Sequence, residues 1–506
     1  MPNIQLNTHP NIHFSTKIKT SMMELAISAI SGELLSRFMS FLIKKHTSLA
    51  SLEEKLERLQ QLILRVHTVV EESEGRYITN SQMLVKLGML VDAMYQGYYV
   101  LDTFKYNPYE EMTTQEQVSN SYALSCLARL NKRIRAASCA TGINSSVNHD
   151  LEAVMRNLES IVANITEFVI LLGGCNQMPK RPYDSYLYID TFMFSRPVEK
   201  QKIINFLLKD NSSNGAPVVL PVIGAYHVGK KSLVGYACND SLVRSHFYSV
   251  LHFNSDSFQK VDHETFLSVR TLVIVEFISD VDDSEWLNFY SAISRMGTGS
   301  KVIIISRLEE IARFGTVKPI QLRRLSHAEF MYLFKVLAFG GTDPENHPQM
   351  ASIGMEIAKM LQGLLLSGNV LADILRKNQN VQFWLHILKR FRNSVEHNLF
   401  LFGEHPKQLV ERNRPTDITM FVSPSAAPLH LIPPRGDSSF HNKELSKVTF
   451  GDLLQGSSTI VPKGEFQILA WQSRIPPFTK FLATCIEEKY CCSFPENKKR
   501  RWSCVK

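Results

Sequence analysis

The stretch Val218-Val219-Leu220-Pro221-Val222-Ile223-Gly224-Ala225-Tyr226-His227-Val228-Gly229-Lys230-Lys231-Ser232-Leu233-Val234 decides how this chain is read. Its opening run, Val218–Ile223, is apolar and rich in β-branched residues, which predicts a buried strand. Leu233, Val234 and Tyr236 open a run compatible with a helix. Between strand and helix lie two glycines and a lysine, the layout of a phosphate-binding loop. The glycines let backbone N–H groups turn inward around phosphate oxygens. The helix N-terminus adds partial positive charge, and Lys230 reaches the terminal phosphates. The candidate binding residues are therefore Gly224, Gly229, Lys230, Lys231 and Ser232. The full motif places Ser or Thr directly after that lysine, to ligate Mg2+. Here Lys231 holds the place, and Ser232 comes one residue late. A strand-to-helix turn with a surface lysine would have the same local pattern, so the loop alone leaves both readings open.

The neighbouring segments extend the pattern. Thr271–Phe277 is a second apolar strand, and Glu276 near its end is the candidate Mg2+ ligand. Asp280, Asp282 and Asp283 follow in a loop, where solvation is the plainer reading. Lys301–Ser306 is a third strand, and Arg307 directly after it is placed to reach a γ-phosphate. With Ser249–Phe253, these runs are separated by gaps long enough for crossover helices. That predicts a parallel sheet covered by helices. Residues 345–376 return to helical spacing, with Met355, Ile357, Ala358, Leu361, Leu364 and Leu365 apolar.

Upstream, the spacing is helical throughout 22–175. Leu52, Leu56, Leu59, Ile63, Val66 and Val70 form one apolar stripe, with Ser51 and Glu54 as a capping box at its start. Further helical patterns run over 83–101 and 151–170, and a weaker one over Val118–Ala137. Broad apolar faces of this length predict a helical bundle. Residues 1–21 have no periodicity and no apolar signal core, which predicts a disordered extension. Residues 176–195 read as a linker. In the last part, 414–438 is rich in Pro, Ser and Asp and reads as irregular, and Val448–Leu454 and Phe466–Trp471 read as paired strands. Lys498-Lys499-Arg500-Arg501 reads as a solvated end or a nuclear import signal.

Composition limits the alternatives. The 506 residues exceed one usual domain, and 44% hydrophobic with 21% charged is a globular balance. The net charge of +8 is too mild for this length to argue for nucleic acid. The eight cysteines form no CxxC pair, which fits reduced thiols. No run of about eighteen uninterrupted apolar residues occurs, so no membrane-spanning helix is expected. No 20–30-residue repeat is visible, so no solenoid is expected in this chain.

Taken in order, these segments resemble plant intracellular disease-resistance proteins of the nucleotide-binding leucine-rich-repeat (NB-ARC) class, most closely those with an Rx-type helical N-terminal domain. The resemblance covers about residues 22–376. Tyr98-Tyr99-Val100-Leu101-Asp102 sits where the family carries Glu-Asp-Val-Ile-Asp. Phe194-Ser195-Arg196-Pro197-Val198-Glu199 resembles the family's Gly-Arg-x-x-Glu. The glycine loop, the Glu276 strand and the Arg307 strand match its Walker A, Walker B and sensor elements. Phe314-Gly315-Thr316 and Ala338-Phe339-Gly340 fit the following segment, and Gly363-Leu364-Leu365-Leu366 resembles Gly-Leu-Pro-Leu. Glu276-Phe277 stand where the family has two aspartates, and no Met-His-Asp motif is visible.

The resemblance implies a multidomain fold. An N-terminal α-helical bundle (22–175) is followed, after the linker 176–195, by a P-loop α/β nucleotide-binding domain (196–342). A small helical segment (343–392) and an irregular α+β C-terminal region (393–506) complete it. It implies a truncated, degenerate member acting in innate immunity, with an eroded ADP- or ATP-binding site, doubtful Mg2+ coordination and weak ATPase activity at most. Expected partners are other resistance or signalling proteins, and further copies of the chain, bound through the helical bundle. The expected location is cytoplasmic or nuclear. The competing reading is an interaction scaffold or decoy, partner to full-length resistance proteins, that binds no nucleotide.

Overall fold

The structure, a computed structural model, describes residues 52–106, 144–178, 194–210, 216–255, 269–412, 414–421, 428–432, 448–455, 464–475, 478 and 480–487. The expected extension 1–21, most of the linker, the capping residue Ser51, the helix over 118–137 and the basic run 498–501 lie outside them. The described residues fall into two compact units, one holding 52–101 and 144–178 and the other the remainder.

The first unit is helical. Helix α1 (Leu52–Glu74), most of α2 (Ser81–Tyr106), α3 (Asn144–Ala163) and α4 (Thr166–Gly173) carry it. The α1 stripe faces inward as its spacing requires: Leu56, Leu59, Ile63, Val66 and Val70 are all buried. Ion pairs Lys55–Glu152 at 2.9 Å and Arg58–Glu159 at 2.5 Å run along the rim between α1 and α3. Tyr98, in the place of the family's acidic motif, shares a 2.6 Å hydrogen bond with the His67 ring. The Tyr77 amide donates to the Asn176 carbonyl at 2.8 Å and Met178 to Gly75 at 2.7 Å. Residues 176–178 thus pack with this unit. Leu59→Ala should destabilise the helical unit by about 2–5 kcal/mol, because Leu59 is fully buried. Chemical denaturation followed by circular dichroism reads this directly.

The second unit begins with α5 (Pro197–Leu208) and β1 (Val218–Gly224), then α6 (Lys230–Cys238), α7 (Ser241–His246), β2 (Ser249–Asn254) and β3 (Thr271–Phe277). Helix α8 (Asp283–Ile293), β4 (Lys301–Ser306) and β5 (Ile320–Leu322) complete a five-stranded parallel sheet, ordered β2-β3-β4-β1-β5. The strands expected from β-branched runs are all present. Strand β5 gives no such signal, since three residues flanked by polar chain carry no period. Pro221 is tolerated inside β1 because β5 pairs only from Val222 onward. Trp286 and Phe289 of α8 pack with Val273, Val275, Val302 and Ile304 in one core.

Helices α9 (His327–Phe339), α10 (Pro348–Leu361), α11 (Leu365–Lys377), α12 (Val381–Phe402) and α13 (Pro406–Glu411) follow. The single helical stretch expected over 345–376 is divided at Gln362 and Gly363, both at positive φ. Residues 392 and 393, between which the sequence reading divides the chain, both lie inside α12. Strands β6 (Thr416–Asp417) and β7 (Leu429–Ile432) lie in the segment read as irregular. Helix α14 (Phe450–Gln455) occupies the run read as a strand at Val448–Leu454. Phe450, Leu453 and Leu454 are buried there at helical rather than alternating spacing. Strands β8 (Glu465–Gln472) and β9 (Lys480–Glu487) finish an antiparallel sheet ordered β6-β7-β9-β8.

Candidate functional site

Both motif glycines are required by the backbone. A Cβ on Gly224 would lie 2.5 Å from the Leu322 carbonyl oxygen, because β5 approaches there. Gly229 caps α6 at φ 91°, in the left-handed region. Between them His227 also takes positive φ, at 56°, which is uncommon for a residue with a Cβ. The loop therefore makes the sharp strand-to-helix turn that a phosphate cradle needs, at the carboxyl end of the sheet.

The site side chains converge there. Gly224 ends β1, Glu276 lies at the level of Ile305 in β4, and Arg307 follows β4. Lys230 Nζ donates to the carbonyls of Gly224 and Ala225, each at 2.7 Å. Burial pulls the Lys230 ammonium down to about 8, against the opposing pull of Glu276, with Arg307 and Lys231 adding to the depression. Burial, then Lys230, lowers the His227 imidazole to about 4. Burial also raises the Tyr226 phenol. Lys231 turns the other way from Lys230: its Nζ lies 2.5 Å from Glu276 Oε2. Ser232 is nearly buried in the first turn of α6. The acidic loop is not merely solvated: Arg313 pairs with Asp280 at 2.9 Å and Asp283 at 2.8 Å.

These residues line one cavity of about 440 Å³, within the range of small-ligand pockets. Gly229, Lys230, Lys231, Ser232, Glu276 and Arg307 all line it, and Gly224 forms the loop's base. Leu333, Leu337, Leu365 and Leu366 make an apolar end. Among the described residues the cations on its wall are Arg196, Lys230, Lys231, Arg307, Arg474 and Lys480, against one carboxylate, Glu276.

Sequence reasoning missed the far wall. Trp471, Arg474 and Ile475, on β8 and the turn after it, and Lys480 and Phe481 of β9 face the cavity. Phe481 meets the His227 ring edge-on with centroids 5.9 Å apart, and Trp471 lies 5.8 Å from Phe481. The chain order gives no local signal for this contact. The alternating Phe466, Ile468 and Ala470 announce a strand, yet nothing in them names the loop it meets.

Residues 31–122 match the Rx N-terminal domain family. The chain is 22% identical over 383 residues to disease resistance protein RGA2 of Solanum bulbocastanum, covering 70% of this chain and 38% of that protein. It is 23% identical over 367 residues to the disease resistance RPP13-like protein 1 of Arabidopsis thaliana, covering 66% of this chain and 34% of that protein. Over 173 residues it is 27% identical to a late blight resistance protein homolog of Solanum demissum, covering 32% of this chain and 13% of that protein. The match thus spans well under half the length of each relative. These findings bear out the resemblance to plant disease-resistance proteins of the NB-ARC class with an Rx-type N-terminal domain.

Proposed function

We propose that this chain is a component of plant defence signalling whose α/β region binds ADP or ATP at the loop Gly224–Ser232. The observation that carries this reading is the charge of the cavity. Six basic side chains and one carboxylate line a cavity with a two-glycine loop at a helix start. Although Arg196 also pairs with Glu199 and Arg474 with Asp373, the surplus of positive charge suits a polyphosphate. Backbone amides of the loop hold the phosphates, Lys230 supplies charge to the terminal ones, and the Ser232 hydroxyl lies at their edge. Arg307 meets a γ-phosphate where one is present. The leucines of α9 and α11 leave an apolar space for the base.

Hydrolysis is weak at most on this reading, because the family's two aspartates are replaced by Glu276-Phe277 and Glu276 is held by Lys231. The Rx-type helical domain takes protein partners, including copies of the chain, as its family resemblance suggests. No helix among the described residues is long and apolar enough to cross a membrane. The protein works in the cytoplasm or nucleus on this reading. Isothermal calorimetry on the purified full chain tests the nucleotide claim. Saturable binding of ADP or ATP is expected; no heat at millimolar nucleotide would leave the scaffold reading in its place.

A further inference from the structure

In a phosphate-binding loop with magnesium, the metal sits between a hydroxyl placed directly after the loop lysine and an acid at the end of a neighbouring strand. Here those two positions are Lys231 and Glu276, and they are bonded to one another at 2.5 Å. An ammonium has no lone pair and cannot ligate a metal. Glu276 is the sole carboxylate on the cavity wall among the described residues, and it is already taken. Magnesium demands near-octahedral oxygen ligands, and these residues do not provide them. The residues present therefore do not fit the metal.

We propose that the Lys231 ammonium, tethered by Glu276, stands where the divalent cation would stand, so that the cavity takes metal-free nucleoside diphosphate in preference to a magnesium–nucleotide complex. The inference rests on the nucleotide reading above. Several observations favour it. Lys231 and Lys230 are adjacent but diverge, Lys230 onto the loop carbonyls and Lys231 toward the β3 end, so positive charge reaches two sides of the phosphates. Both partners of the pair are partly exposed, with Lys231 at 48% and Glu276 at 30%, so the ammonium reaches the cavity without unfolding anything. Magnesium would have to displace a cation already on the acid while approaching Lys230 and Arg307 on the same wall. One tethered charge also matches a diphosphate better than a triphosphate, whose extra charge a metal ordinarily neutralises.

The test is ADP titration of the full chain by calorimetry, with EDTA and with millimolar Mg2+. Wild-type apparent affinity should be weaker in Mg2+ than in EDTA, since the metal draws ADP into a complex to which the cavity offers no ligand. Lys231→Thr restores the hydroxyl and frees the acid. It should lose about three- to tenfold in EDTA, as for one exposed charged contact, and regain affinity when Mg2+ is added. Glu276→Gln gives the opposite sign to a metal site. It leaves Lys231 without a counter-charge and should tighten ADP binding in EDTA, whereas a metal ligand's loss would weaken binding in Mg2+ alone. Wild-type ADP binding that rises tenfold or more with Mg2+, or a Glu276→Gln loss confined to Mg2+, overturns the tethered-cation assignment while the nucleotide reading stands. Wild-type protein that binds no ADP in either condition removes the nucleotide reading and this inference with it.

Discussion

On the nucleotide reading, Lys230→Ala is expected to lower the ADP affinity of the full chain by about ten- to a hundredfold, the loss of one charge-assisted contact worth about 1.5–3 kcal/mol. Among the loop side chains Lys230 is the one that follows the αL glycine and folds over the loop carbonyls. On the nucleotide reading, a phosphate in the loop would replace those carbonyls as its partner. The same residue sets a pH dependence. Its folded value of about 8 lies below the ordinary 10.5, so the buried charge is carried, at a cost, below pH 8 and is shed above it. An anion beside the ammonium raises that value again. ADP binding is therefore expected to take up a proton near pH 8.5 and to weaken as pH rises from 8 toward 10. Calorimetry in buffers of different ionisation heat measures the uptake. It should vanish in Lys230→Ala, and equal uptake in the variant would assign the proton elsewhere.

Trp384→Ala should cost about 3–5 kcal/mol, the usual range for a buried aromatic cut to alanine. Trp384 of α12 is fully buried. Its ring lies 5.1 Å from that of Phe339 and close over Gly354, where an added Cβ would sit 3.1 Å from the ring. The indole N–H donates to the carbonyls of Leu375 at 3.1 Å and Asn378 at 2.9 Å, capping the end of α11. Truncation therefore opens a cavity between α9, α10 and α12 and removes one donor from each of two carbonyls, which keep the Asn378 and Asn380 amides as donors. Trp384→Phe keeps most of the volume and loses the hydrogen bonds, so it should cost less than the alanine variant. Thermal unfolding monitored by differential scanning fluorimetry separates the two. A melting temperature for Trp384→Ala equal to wild type would contradict this packing.

How much of this was legible in the sequence follows from the range of the interactions. The phosphate-loop turn is local: strand, αL glycine and helix start follow one another without a break, and each has its own residue preference. Strands β1, β3 and β4 announce themselves because strands buried on both faces become continuous apolar runs. The α1 stripe is legible for a different reason, one period and one buried face. What escaped is non-local or short. Strand β5 has three residues, and Val448–Leu454 is an apolar run too brief to distinguish helix from strand. The departures from the family motif were visible at Lys231 and Glu276 as two separate losses. Only the fold brings them together as a pair.

The contact between Phe481 and His227 links the end of the described chain to the loop in a further way. The imidazole is held near 4 because Phe481, Tyr226 and the surrounding wall keep it dry, with the Lys230 charge adding to the effect. Opening the β8–β9 hairpin would wet the ring and let its value return toward 6.5. The opening equilibrium and the protonation of one side chain are then thermodynamically linked. Between pH 6.5 and 4 the open hairpin binds the proton and the closed one does not, so acid favours opening, by up to about tenfold per pH unit. Above pH 6.5 that bias disappears, and the ring packing of Phe481 on His227 holds without a proton working against it.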